Sequence, residues 1–177
     1  MSKMEKPATE TRRCRRNVRM FAVGLLFAVS VSSSFAQRAV ILVRHAEKAD
    51  ASGDTALSDA GKIRAARLAQ TLARVGITAV FCSEYLRTRQ TADPLAAALK
   101  LPVQPHPAAD PAGLVKKIRA RHANDVVLIV GHSNTVPEIL EIFGHPVLEP
   151  IEDDDYGSLF ILIPESGQYP LVIRFKY

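Results

Sequence analysis

The chain has 177 residues and a formal charge of +5, yet residues 1–36 hold 7 of its 23 Lys/Arg and only 2 of its 18 Asp/Glu, leaving the other 141 residues formally neutral. A neutral body with no tryptophan and few aromatics lacks both the basic footprint and the stacking platform of a nucleic-acid binder. Only Cys82 follows residue 36, which excludes a disulfide within residues 37–177, a CxxC redox pair and a cysteine-rich zinc site.

Taken in chain order, Arg12, Arg13, Arg15, Arg16 and Arg19 precede an apolar stretch, Met20 to Val31, and then Ser34-Phe35-Ala36, with small residues three and one before a cut. This order predicts a secretory signal peptide over 1–36 and one domain over 37–177, exported to the periplasm or secreted. About a dozen apolar residues are too few to cross a bilayer, so no stable membrane association is expected after cleavage. Cys14 lies before the apolar stretch, which is not the place of a lipoprotein cysteine, and the arginine pairs lack the hydrophobic pair of a twin-arginine signal.

Ala39 to Val43 and Val126 to Val130 are continuous apolar runs of strand length, apolar on both faces as central parallel strands are. Between them, Ser58 can cap a helix whose Ala65, Leu68, Ala69 and Leu72 follow helical spacing, with Arg64, Arg67 and Arg74 on a solvated face. Ile77 to Cys82 reads as a second strand, with Cys82 a small buried hydrophobe. Ala92, Leu95, Ala96 and Leu99 mark a second helix that Pro94 starts or kinks. Pro102 to Pro111 reads as a proline-rich loop, Leu114 to Arg121 and Val136 to Phe143 as helices. Leu159 to Ile163 and Leu171 to Phe175, around Pro164-Glu165-Ser166-Gly167, read as a closing hairpin. Strands alternating with helices predict an α/β fold, a three-layer α/β/α sandwich with a mostly parallel mixed sheet and a C-terminal hairpin.

In such sheets ligands bind at the carboxyl ends of the strands, where two histidines fall. His45 follows Arg44, and a neutral, aimed imidazole is a competent nucleophile toward phosphorus. The guanidinium of Arg44 can bind phosphate oxygens bidentately and lower the pKa of the histidine. Arg87 lies one helical turn beyond Ser83 and offers a second fork of donors, with Thr88 and Ser83 bonding nearby. His132, between Gly131 and Ser133-Asn134, stands where a strand turns into a helix, so that a protonated imidazole and free backbone N–H groups can face an anion.

Together, Arg44-His45, Leu57-Ser58-x-x-Gly61, Ser83-x-x-x-Arg87-Thr88-x-Gln90-Thr91 and Gly131-His132-Ser133 resemble the histidine phosphatase superfamily, also called phosphoglycerate mutase-like, over essentially all of 37–177. The resemblance implies that His45 is the phosphorylated nucleophile and that Arg44, Arg87 and His132 form the phosphate pocket. It implies a phosphohydrolase acting on a small phosphomonoester through a phosphohistidine, with no metal and no cofactor. Ala46 and Ser133 stand where glycines are common in the family, and Ala51 stands where the mutase branch has an asparagine. The stretch His106 to Leu114, where one branch carries a glutamate acid, has no glutamate. Asp110 is the candidate general acid taken forward, with His106, Glu47 and Glu84 as others. A missing acid would still permit acyl phosphates, phosphoramidates and activated esters.

Two other readings stay open at this level. Without an acid the pocket could be a non-catalytic phospholigand-binding module. The run Glu152-Asp153-Asp154-Asp155, with His45, His132 and His145, could serve a metal-dependent phosphoesterase, although no HxD, HxH or HExxH spacing occurs and a solvated turn accounts for the acids.

Overall fold

The computed structural model describes residues 38–146, 151–165 and 169–177, so the leader expected over 1–36 lies outside the described residues. Ten elements follow in order: β1 (Ala39–Arg44), α1 (Asp59–Leu72), β2 (Ala79–Cys82), α2 (Leu86–Leu99), β3 (Val103–Pro105), α3 (Pro111–Arg121), β4 (Val126–Gly131), α4 (Thr135–Ile142), β5 (Ser158–Ile163) and β6 (Leu171–Lys176). The six strands form one mixed sheet in the order β3-β2-β4-β1-β5-β6. The four strands from β3 to β1 are parallel, and the β5–β6 hairpin closes one side in antiparallel fashion. Among the described residues no helix is long and apolar enough to cross a membrane.

The apolar runs become central strands because both of their faces are covered. In β1, Val40 and Leu42 pack into a cluster with Leu114 and Ile118 of α3 and Ile139 and Leu140 of α4. Ile41 and Val43 point the other way, into a cluster with Leu68 and Leu72 of α1 and Leu95 of α2. The period of two along the strand thus distributes one run of residues to two cores.

Local chemistry sets the element ends. Ser58 Oγ accepts the Gly61 N–H at 3.1 Å and caps α1. Asp110 does the same for α3, accepting from Gly113 N at 2.9 Å, with Pro111 following in the first turn. Pro94 lies inside α2, which begins at Leu86, and so does not start the helix.

Two expectations change. The proline-rich loop contains β3, a three-residue strand paired with β2 at the edge of the sheet, where Pro105 can close the strand. Arg64 is half-buried, not solvated, and donates from Nε and Nη2 to Glu47 Oε1 at 2.8 and 2.6 Å. Arg67 and Arg74 are exposed as expected.

Gly61 lies where α1 crosses the loop after β1, and a Cβ there would collide with the Glu47 carbonyl oxygen. Both partners are backbone, so relief requires the helix start to move. Gly61→Ala is expected to cost about 1–3 kcal/mol, measured by urea denaturation. Gly53→Ala, where a Cβ meets nothing within 4 Å, is the control and should leave the midpoint unchanged.

Candidate active site

β1 and β4 run parallel in register from Ala39 opposite Val126 to Arg44 opposite Gly131. Both strands therefore end at one level, and the His45 N–H still donates to Gly131 O at 2.9 Å. The His45 and His132 rings meet edge to face, 5.2 Å between centroids. Arg87 comes from the first turn of α2, so Arg44, His45, Arg87 and His132 all line one open cleft of about 420 Å³.

The rest of the predicted α2 motif holds the loop in place. Thr91 Oγ1 accepts from Ala46 N at 3.0 Å and Gln90 Oε1 from Leu57 N at 2.8 Å, which ties the segment after His45 to α2. Gly131 leaves room for Thr135, since a Cβ would lie 2.8 Å from Thr135 Oγ1. That hydroxyl accepts the His132 N–H at 2.9 Å.

Hydrogen bonds fix both imidazoles. His45 Nδ1 is 2.8 Å from Ala46 O. A carbonyl only accepts, so Nδ1 carries the proton and Nε2 keeps its lone pair. His132 Nδ1 faces Arg87 Nη2 at 3.5 Å, and a guanidinium only donates, so here the proton is on Nε2. His132 Nε2–H donates to Ser83 Oγ at 2.8 Å, Ser83 to Thr88 Oγ1 at 2.8 Å, and Thr88 to Tyr85 O at 2.7 Å.

Burial pulls the His45 pKa down to about 3, against the bond to Ala46 O and with help from His132, Arg87 and Arg44. Burial, then Arg87 and Arg44, pull His132 down to about 4. Both rings are thus neutral at pH 7. For His132 this differs from the protonated imidazole expected from the sequence: a buried ring beside two guanidinium groups does not hold a third positive charge.

Arg44 is 5% exposed. Its Nη1 donates to the carbonyls of Glu152 and Asp153 at 2.7 and 2.9 Å, and its guanidinium stacks on Tyr156 at 4.3 Å. Arg87 donates from Nη1 to Gly53 O at 2.8 Å and stacks on Tyr85, also at 4.3 Å. Each arginine keeps a buried Nε without a partner. Backbone oxygens and aromatic rings orient the two cations without neutralising them, and the remaining donors suit a tetrahedral oxyanion.

The acid candidates do not join this group. Asp110 caps α3 and lies 3.4 Å from His106 Nε2; it follows Ala108 and Ala109 of the cleft wall but does not itself line it. Burial would raise the Glu47 pKa, but the bonds from Arg64 outweigh it and hold the carboxyl below its usual range. Glu84 accepts from Ala108 N at 2.7 Å. The carboxylate on the cleft wall is Asp153, exposed, with Oδ1 3.8 Å from Arg44 Nη2. Tyr85, Tyr156 and Thr135 also escaped sequence reasoning. Tyr85 and Thr135 at least adjoin the motifs, whereas Tyr156 lies more than 100 residues from the arginine it covers. Among the described residues no group of three or more His, Cys, Asp or Glu could hold a metal ion.

Residues 40–110 match the family model of the histidine phosphatase superfamily, branch 1. Over that segment the chain is similar to the histidine phosphatase superfamily. The matched segment contains Arg44, His45 and Arg87. Among solved structures, the histidine phosphatase fold recurs in the protein histidine phosphatase SixA complexed with tungstate, at 20% identity and TM-score 0.65 over 78% of this chain and 96% of that one. SixA from Agrobacterium tumefaciens gives 22% and 0.62 over 80% and 99%. A mycobacterial glucosyl-3-phosphoglycerate phosphatase with inorganic phosphate gives 16% and 0.63 over 79% and 96%. No curated protein sequence matches the chain.

The depressed pKa values carry a sign. Between about pH 4 and 6.5 the unfolded chain binds protons that the two folded histidines refuse, so stability falls as the pH is lowered through that window. In ¹⁵N NMR at pH 5, His45 is expected to be neutral with its proton on Nδ1 and His132 neutral with its proton on Nε2. A shift of either ring to the imidazolium near pH 6.5 would contradict the assignment.

Proposed function

We propose that the protein is a metal-independent phosphohydrolase in which Nε2 of His45 attacks a phosphomonoester. The observation that carries this reading is a buried neutral imidazole, its Nε2 unprotonated, beside two arginines whose charge no buried carboxylate cancels. Nε2 forms the N–P bond as the bond from phosphorus to the leaving oxygen breaks, and the leaving group departs with the electron pair. Water then attacks phosphorus, the N–P bond breaks with its pair returning to Nε2, and phosphate is released. Arg44 and Arg87 hold the equatorial oxygens through both steps. A dianionic phosphoryl group opposes the shift on His132, so its Nδ1 takes a proton and donates to the anion when the site is filled.

Asp110 and Glu47 are held elsewhere, so the leaving group gains little from either. Substrates whose leaving groups depart unprotonated are therefore favoured: acyl phosphates, phosphoramidates and activated esters. The same shortage of an acid favours the second reading, a module that binds a phospholigand without turnover. Export by the leader over 1–36 would place the protein in the periplasm or medium, where small phosphorylated sugars, envelope saccharides and organic phosphates are the available substrates.

With p-nitrophenyl phosphate, the wild type is expected to turn over, His45→Ala to fall to background, and Arg87→Ala to lose about 10²–10³-fold in kcat/KM. Acid-labile label from a radioactive phosphodonor should be trapped on the wild type only. Turnover unchanged in His45→Ala defeats the mechanism, and turnover abolished by EDTA favours a metal phosphoesterase. N-terminal sequencing of exported protein should begin at Gln37, whereas a chain retained in the cytoplasm with its leader intact refutes export.

A further inference from the structure

We infer that Asp155 is a positioning residue that sets the phosphate-binding arginine Arg44 through the backbone of the turn 152–155; this rests on the proposed reading of Arg44 as a phosphate ligand. The sequence makes these four residues look like a patch of negative charge. Glu152, Asp153 and Asp154 are indeed exposed, but the carboxylate of Asp155 is enclosed, with its side chain 9% exposed.

Asp155 faces the β5–β6 hairpin, away from the cleft. Its Oδ2 accepts from Ser158 Oγ at 2.6 Å and Arg174 Nη2 at 2.8 Å. Its Oδ1 pairs with Lys176 Nζ at 2.5 Å and accepts the N–H groups of Ser158 and Gly157 at 3.1 and 3.2 Å. The Asp155 N–H donates to Glu152 O at 3.0 Å and closes the turn. The far side of that turn presents the carbonyls of Glu152, Asp153 and Asp155 to Arg44 Nη1 at 2.7, 2.9 and 3.5 Å. Tyr156, the next residue, lies under the guanidinium.

The choice of acceptor matters for the chemistry. A carboxylate pressed against Arg44 would orient it but cancel the charge that an incoming phosphoryl group needs. Carbonyl oxygens orient it and leave the charge intact. Asp155, the one enclosed carboxylate in the run, spends its charge on Arg174 and Lys176, so the turn is fixed by an acid while its close acceptors for Arg44 are amide oxygens, and the carboxylate of Asp153, 3.8 Å from Nη2, stays exposed to solvent. Without that anchor the turn loses its register on the hairpin, and the Nη1 contacts and the ring beneath Arg44 go with it.

The test is a double-mutant cycle on full-length protein, read by calorimetric titration of inorganic phosphate. Asp155→Asn is expected to raise the phosphate Kd about 10-fold and Arg44→Ala by at least as much. In the Arg44→Ala background, Asp155→Asn should add nothing, because the residue acts through the arginine. Phosphate binding unchanged in Asp155→Asn, or weakened by the same factor with and without Arg44, overturns the inference while leaving the proposed function standing. Failure of the wild type to bind phosphate overturns both. If Asp155→Asn does not fold, Ser158→Ala removes one bond to the same carboxylate and should show a smaller rise, again absent without Arg44; equal rises in both backgrounds overturn the inference.

Discussion

The parallel pairing of β1 with β4 is the constraint on which the site depends. Because Arg44 lies opposite Gly131, the loops that leave the two strands start at the same height, and the bond from His45 N to Gly131 O carries the pairing one residue past the sheet. A slip of one residue would turn the Val40 and Leu42 face into the Ile41 and Val43 face and rotate His45 out of the cleft. Two apolar cores, one on each face, oppose that slip together. The hydrophobic pattern that folds the protein is thus also what brings the histidine rings to 5.2 Å.

On this frame the charges are arranged by exclusion. Glu47 is paired with Arg64, Asp110 caps α3, Asp125 bonds Thr78 and His122, and Asp155 is held by the hairpin. Each of these acids has a partner outside the cleft. What remains at the cleft are two guanidinium groups oriented by neutral acceptors, two imidazoles kept neutral by burial beside them, and the solvent-exposed carboxylate of Asp153. Two guanidinium groups held on one cleft favour an anion between them, which is a physical basis for affinity before any shape of the substrate is considered.

Sequence carried much of this because most of the determinants are local. Continuous apolar runs marked β1 and β4, Ser58 announced its cap, and Arg44-His45 and Gly131-His132 stand next to the strand ends that position them. The motif Arg87 to Thr91 was readable as a helix start, although its second task, holding the Ala46 and Leu57 N–H groups, appears only when α2 folds against the loop. Long-range contacts were not legible. Nothing within a few residues of Tyr156 signals that it lies under Arg44, or that Asp155 differs from its acidic neighbours. β3 escaped because three residues ending in proline carry no period of their own and become a strand only beside β2. Asp110 was placed by proximity along the chain, and its role as an N-cap, which Pro111 and Gly113 permit, took precedence.

The bonds around Asp155 also impose an order on assembly. Arg44 ends the first strand of the chain and His45 follows it, yet two of the residues that fix the turn under Arg44, Arg174 and Lys176, belong to the last strand. A chain delivered from its N-terminus has both histidines in place once β4 and α4 have docked, but the turn that seats its arginine lacks two of its anchors until residue 176 arrives. Nascent protein would therefore carry the recognisable motif while binding anions poorly, and competence would come with the final hairpin.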